Sequence, residues 1–148
     1  MIARTLITRS SLLIWVIAFG SLVSSARNGW AEPKRESRYP LMTGEELKRL
    51  IDSKATQDIV IVDTQPSEYF AEAHIPGAVN LPYTDRITPP VNLPRTKTLL
   101  LYCPCQNEEE STEMAIQLEK LGYRKLKLLQ GGLPKWRELK YPTAKSGE

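Results

Sequence analysis

The feature that most constrains the fold is a short, uninterrupted apolar run, Leu99 to Tyr102, which leads into a loop holding both cysteines and then into a helical segment. An apolar run without alternation is typical of a strand buried on both faces of a parallel sheet. We therefore expect Cys103 to lie at the carboxyl end of such a strand. In open α/β sheets this edge holds the ligand crevice, and the next helix directs its free N–H groups at the loop. Helix N-termini lower the pKa of a thiol from about 8.5, so this position favours a thiolate.

Strand-like and helix-like segments alternate along the rest of the chain. Their order predicts an α/β domain with a mostly parallel sheet and right-handed crossovers. Tyr69 and Phe70 are expected to face inward, and residues 84–97 are expected to form a surface loop. The predicted strands are 39–42, 58–64, 78–81 and 125–129 beside the central run, with 58–64 next to it, and the predicted helices are 43–54, 66–73, 111–121 and 133–140.

The first 31 residues are typical of a secretory signal peptide, because Arg4 and Arg9 precede the apolar run Leu12–Val23 and small residues follow. Cleavage is expected after Ala31, with Ala26 as the alternative. The run has 12 residues, whereas a membrane-spanning helix needs roughly 20. We therefore expect export, to the periplasm if the source is bacterial and by secretion otherwise, with no stable membrane insertion after cleavage.

The charge of the chain gives no support to a nucleic-acid partner. Arg4, Arg9 and Arg27 account for the formal net charge of +3, because they are the only charged residues among the first 31. The remainder carries equal numbers of acidic and basic residues and so has no overall attraction for a polyanion. We divide this remainder into a flexible lead-in (32–39), one domain (40–142) and a C-terminal tail (143–148).

The two cysteines are separated by one residue and cannot join distant segments. A disulfide between them is possible but strained at this separation, so it would be readily reduced and functional. Two cysteines and the distant His74 do not make a zinc site, and we expect neither a metal nor a cofactor. The pair therefore points to thiol chemistry.

Three segments together resemble the rhodanese-like domain family: VDTQPSEYFAEAHIPGAVNLP (62–82), LLLYC (99–103) and KLKLLQGGLPKW (125–136). The resemblance covers roughly residues 40–142 and implies a five-stranded, mostly parallel sheet flanked by helices on both faces. It also implies a cysteine that carries sulfane sulfur as a persulfide. The partners implied are a small sulfur-containing donor, a thiol or other nucleophilic acceptor, and in some contexts a partner protein.

The active-site loop departs from the family pattern, which usually runs Cys, four residues, then often Arg and Ser, with a glycine inside. Counted from the strand, Cys103 takes the catalytic position, whereas counted back from a helix at Ser111, Cys105 has the usual interval. We favour Cys103 as the nucleophile, because Pro104 cannot donate to a central ladder and so marks the strand's end. Cys105 would then either resolve the persulfide into a disulfide, releasing sulfide, or share the carrier role. The loop residues other than the two cysteines are Pro104, Gln106, Asn107, Glu108, Glu109, Glu110 and Ser111.

The loop lacks a glycine, and Asn107 is its only residue that readily accepts a positive φ. Glu108 to Glu110 are expected to form the first helical turn, where they complement the dipole but oppose a thiolate and repel anionic donors.

Four further residues are expected to support the site. Asp63 either faces it or caps the following turn, and the resemblance places His74 in a structural turn. Gly131 and Gly132 are expected to line the floor of the site.

Two other functions remain open from the sequence. One is a catalytically silent binding module whose acidic loop meets a basic partner surface. The other is a Cys-x-Cys thiol–disulfide exchange protein built on the same sheet.

Overall fold

The structure is a computed structural model that describes residues 36–147. The predicted signal peptide and the start of the lead-in lie outside these residues. Within them, the predicted strands and helices are confirmed in type and order. The elements are β1 (Leu41–Met42), α1 (Gly44–Asp52), β2 (Ile59–Asp63), α2 (Ser67–Glu72), β3 (Val79–Asn80), β4 (Thr98–Tyr102), α3 (Glu109–Lys120), β5 (Leu126–Leu129) and α4 (Gly132–Glu138).

The five strands form one sheet in the order β1-β5-β4-β2-β3, and each neighbouring pair is parallel. β4 is the central strand and pairs with β2 from Ile59–Thr98 to Asp63–Tyr102. The prediction that these two strands lie next to each other is therefore confirmed. Because all strands run the same way, their carboxyl ends meet at one edge, and Cys103 follows β4 at that edge.

Two apolar layers explain why the β4 run does not alternate. Leu99 and Leu101 pack on one face of the sheet with Met114 and Leu118 of α3. On the other face, Leu100 and Tyr102 pack with residues of α1 and α4, among them Leu47 and Trp136. Each of the four β4 side chains is fully buried, and burying a leucine is worth roughly 1.5–3 kcal/mol. The central strand is thus fixed from both sides, and with it the residue that follows.

The start of α1 and the position of α2 test two local predictions. Thr43 caps α1, since its Oγ1 accepts a hydrogen bond of 3.1 Å from the N–H of Glu46. The prediction that Tyr69 faces inward is wrong, because its side chain is 57% exposed. α2 buries no residue of its own, and Ile75 just after it enters the core instead.

Both ends of the described chain contact the domain. The Tyr39 hydroxyl donates to Glu119 on α3 at 2.9 Å, and burial together with this carboxylate raises the pKa of Tyr39 to about 12. At the other end, Ala144 pairs with His74 and the N–H of Ser146 donates to the carbonyl of Ala71 at 3.0 Å. The chain therefore stays bonded to the segment around α2 beyond residue 142. No helix in the range 36–147 has the length and apolar character needed to cross a membrane.

Candidate active site

The cysteine loop, Cys103–Glu108, connects β4 to α3. α3 begins at Glu109, two residues before Ser111, so counting back from Ser111 does not measure the loop. Four residues, 104–107, separate Cys103 from Glu108. Cys103 is the first residue after β4 and Glu108 the last before α3, so the two residues mark the ends of the loop.

The two cysteines are joined by a disulfide, with their Cα atoms 5.2 Å apart. Cys103 is fully buried, whereas Cys105 is partly exposed. The Sγ of Cys103 lies 3.8 Å from the hydroxyl oxygen of Ser111 and 3.4 Å from the carbonyl oxygen of Cys105. In this disulfide the sulfur of Cys103 is therefore the buried one, and the sulfur of Cys105 is the more exposed one.

The turn between β5 and α4 packs directly against the backbone of the cysteine loop. Gly132 has a φ of +54°, and a Cβ there would lie 2.5 Å from the carbonyl oxygens of both Cys103 and Cys105. The N–H of Leu133 donates to the Cys103 carbonyl at 2.9 Å. Only glycine tolerates both this φ and this approach, so the structure places Gly131 and Gly132 against the loop.

Glu108, the last residue of the loop, binds the same turn between β5 and α4. Its backbone is left-handed, with a φ of +53°, although Asn107 is the loop residue that accepts a positive φ most readily. Glu108 is also not in the first helical turn but precedes α3 as its N-cap residue. A left-handed non-glycine residue costs roughly 1–2 kcal/mol. Hydrogen bonds offset this cost, because its carboxylate accepts from the N–H of Gly131 at 2.5 Å and its carbonyl from the Ser111 hydroxyl at 3.1 Å.

The charges around the loop oppose one another. The free N–H groups at the start of α3 favour an anion, but Glu109 and Glu110 stand in that first turn. Glu109 is exposed and Glu110 partly buried. These carboxylates favour the helix and disfavour a second negative charge on a neighbouring sulfur.

Asp63, at the end of β2 and in register with Tyr102, is fully buried. Its carboxylate accepts hydrogen bonds from the backbone N–H of Gln65 at 2.8 Å, from the Gln65 side chain at 2.9 Å and from the hydroxyl of Tyr102. Burial raises the pKa of Asp63, although these hydrogen bonds act in the opposite direction. Burial and the neighbouring carboxylate also raise the pKa of Tyr102. The sequence left two roles open for Asp63, facing the site or capping the following turn. The structure shows that Asp63 caps the turn.

Tyr102 is a supporting residue that sequence reasoning did not assign. It immediately precedes Cys103, and its hydroxyl joins Asp63 to the segment after α2, since it accepts from the N–H of Ile75 at 3.0 Å. The available signal was a hydroxyl-bearing residue at the end of an otherwise aliphatic run.

His74 is buried and holds the segment after α2 in place. Its Nδ1 lies 2.7 Å from the carbonyl oxygen of Phe70, and its ring stacks on the Phe70 ring with centroids 3.9 Å apart. Within residues 36–147, none of its hydrogen bonds reaches the cysteine loop. No cluster of three or more His, Cys, Asp or Glu side chains suited to a metal occurs in the same range.

A cleft of about 340 Å³ lies between α2, α4 and the cysteine loop. Its volume is at the lower end of the roughly 300–1,000 Å³ of small-molecule sites. Pro104, between the two cysteines, forms part of its wall, and the exposed Tyr69 ring and the Arg137 side chain form other parts. Sequence reasoning missed the cleft because it assigned Tyr69 to the core. The lining residues are Gln65, Pro66, Tyr69, Glu72, Pro104, Leu133, Pro134 and Arg137.

A parallel five-stranded sheet of this kind defines an α/β protein whose ligands are expected at the carboxyl ends of the strands, where the cysteine loop lies. Residues 43–139 match the family model of the rhodanese-like domain, and the chain belongs to that family. The resemblance seen in the sequence is thereby confirmed.

Individual relatives agree with this assignment. The chain is 28% identical over 91 residues to an adenylyltransferase and sulfurtransferase, UBA4, of Meyerozyma guilliermondii, matching 57% of this chain and 22% of that protein. The chain therefore spans about a quarter of the length of the curated relatives that it matches.

Solved structures share the fold. The BH2092 protein of Bacillus halodurans has a TM-score of 0.63 and 25% identity, with 73% of this chain and 78% of that chain covered. The rhodanese-like domain of the Alr3790 protein from Anabaena sp. has a TM-score of 0.60 and 20% identity, with 72% and 79% covered.

The contact between Gly132 and the loop makes a specific prediction. Gly132→Ala should lower the free energy of unfolding by more than Gly77→Ala. Both glycines have positive φ, but a Cβ on Gly77 meets no atom within 4 Å. The control therefore measures the left-handed backbone alone, roughly 1–2 kcal/mol, and the excess measures the clash with the cysteine carbonyls. Denaturant unfolding of both variants checks this, and equal losses would contradict the packing described.

Proposed function

We propose that this protein is a sulfurtransferase that carries sulfane sulfur as a persulfide on Cys103. The observation that carries the proposal is the placement of this sulfur. Cys103 follows the central strand directly and is fully buried at the start of a loop that the turn at Gly131 closes. Its sulfur lies 3.8 Å from the Ser111 hydroxyl oxygen. The sulfurtransferase name of the UBA4 relatives supports the same reaction class.

Transfer proceeds in two substitutions at sulfur. The Cys103 thiolate attacks the sulfane sulfur of the donor, the donor's S–S bond breaks, and its electron pair leaves with the remaining anion. The outer sulfur of the persulfide is then attacked by an acceptor thiolate, and the Cys103 thiolate departs. The disulfide seen in the structure must be reduced before the first step, because an oxidised Cys103 is not a nucleophile.

The cleft beside Pro104 is the proposed route for the small donor and the thiol acceptor. It reaches the loop from the side of α2 and α4, and it offers an aromatic surface at Tyr69 and a cation at Arg137. Arg137 can pair with an anionic group on a substrate. A partner protein can present an acceptor thiol by the same route.

Cys103→Ser should abolish sulfur loading. Reduced wild-type protein exposed to thiosulfate should release sulfite, whereas Cys103→Ser should release none, because the attacking thiolate is gone. Sulfite determination together with thiol-specific mass spectrometry checks this. A Cys103→Ser chain that still gains a sulfur atom would move the nucleophile to Cys105.

The acidic first turn of α3 should set the preference among donors. Glu109→Gln with Glu110→Gln should raise the rate with thiosulfate more than the rate with an uncharged sulfane-sulfur donor, because like charges repel the anion and disfavour the thiolate. The difference should shrink at high salt, where the Debye length falls from about 10 Å at 0.1 M to about 3 Å at 1 M.

The matched control for this variant is Asp52→Asn with Asp58→Asn. It removes the same charge from exposed positions at the opposite edge of the sheet, at the end of α1 and just before β2. If the control changes the thiosulfate rate equally, the effect comes from net charge and not from the loop.

We also propose that the protein acts outside the cytoplasm, from the signal-peptide pattern of its first 31 residues. Amino-terminal sequencing of protein recovered from the exported fraction should give Glu32 as the first residue, or Arg27 if the alternative site is used. An intact Met1 chain recovered from the membrane or the cytoplasm would contradict this proposal.

One observation favours a second candidate function. The Cys103–Cys105 bond is the species that a thiol–disulfide exchange protein would cycle. An exchange assay with a disulfide substrate separates the two functions, since the second candidate requires turnover there and none with thiosulfate.

A further inference from the structure

We propose that Cys103 and Cys105 form a sulfide-releasing couple, which makes the protein a thiol-dependent reductase of sulfane sulfur. This inference rests on the proposed function, because it begins with the Cys103 persulfide. It adds the fate of the sulfur, the role of Cys105 and the chemical class of the partner, an external thiol or dithiol.

The loop Cys103–Glu108 accommodates a bond between the two sulfurs while keeping its contacts with Gly131, Gly132 and Leu133. In the persulfide, Cys105 therefore has the inner sulfur of Cys103 within reach on the same short loop. Attack within one loop is an intramolecular step, which has a large advantage over attack by a dilute external thiol.

In the resolving step, Cys105 displaces the outer sulfur of the persulfide as sulfide. The Cys105 thiolate forms a bond to Cys103 Sγ, the bond between Sγ and the outer sulfur breaks, and its electron pair leaves as sulfide, which takes the proton lost by the Cys105 thiol. The outer sulfur is reduced by two electrons, and the two thiols are oxidised to the disulfide. With thiosulfate as donor, the products of one cycle on the protein are one sulfite, one sulfide and the disulfide observed here.

An external thiol reopens the disulfide by attacking Cys105. Cys105 is partly exposed and Cys103 fully buried, so an incoming thiolate reaches Cys105 first and forms a mixed disulfide there. The leaving group is then the Cys103 thiolate, which departs next to the Ser111 hydroxyl. A second thiol from the reductant releases Cys105 and leaves as the oxidised form, so two external thiols are consumed in each cycle. Because the reductant attacks Cys105, the reaction leaves Cys103 as a free thiolate, which is the nucleophile of the next cycle.

The test is a single turnover without external thiol. Wild-type and Cys105→Ser proteins are reduced, freed of reductant under anaerobic conditions and mixed with thiosulfate. Wild-type protein should release sulfite and sulfide in equal amounts, and its mass should become that of the disulfide form. Cys105→Ser should release the same sulfite but sulfide at less than about a tenth of the wild-type rate, and its mass should increase by one sulfur atom.

The other outcomes are distinct. Wild-type protein that keeps the added sulfur and releases no sulfide would overturn the inference and leave the proposed function intact. Equal sulfide release from both proteins would overturn it as well. Sulfite from neither protein, together with no gain of sulfur from an uncharged sulfane-sulfur donor, would overturn the proposed function itself, and the inference with it. Cys105→Ala in parallel guards against an effect of the serine hydroxyl, and circular dichroism of each variant confirms that the domain is folded.

The site of attack by the reductant is mapped separately. The oxidised wild-type protein is treated briefly with a bulky thiol, and remaining thiols are alkylated. The mixed disulfide should lie on Cys105 and the alkyl group on Cys103. The reverse distribution would overturn the assigned order.

Discussion

The burial of β4 between two apolar layers is the constraint on which the rest of the site depends. Leu99 and Leu101 are fixed against α3, and Leu100 and Tyr102 against α1 and α4. A strand held on both faces and by two neighbours has little freedom at its carboxyl end. Cys103, the residue that follows, therefore has a defined position, and the packing of the leucines in β4 sets where its sulfur lies.

The conformation of the loop after this strand depends on residues that lie outside the loop. The turn at Gly131 and Gly132 approaches its carbonyls, and the Gly131 N–H binds the Glu108 carboxylate. In a nest of N–H groups, such a donor would be available to a bound anion. Here the protein supplies its own carboxylate to that N–H. The loop is thereby closed and stabilised, and the Gly131 N–H is already paired within the protein.

The sequence was sufficient for the sheet and helices because local patterns decide them. The apolar run of β4, the cap at Thr43 and the glycines after β5 each act within a few residues. It was insufficient where the determining partner is distant. The left-handed Glu108 depends on a hydrogen bond to Gly131, and the cap at Asp63 is shared with Tyr102 from another strand. The inward orientation predicted for Tyr69 is wrong for the same reason, since its exposure depends on where α2 docks.

The glutamates at the start of α3 and the paired cysteines both bear on how stable a persulfide on Cys103 would be. A sulfur that must persist as a persulfide anion benefits from donors and positive charge around it, yet here Glu109 and Glu110 stand beside the loop and the Gly131 N–H is occupied. Such surroundings raise the energy of the anionic persulfide relative to a neutral disulfide. Cys105 offers that neutral state within the same loop. In the proposed reaction, the charges that disfavour a stored persulfide therefore favour the step in which the sulfur leaves.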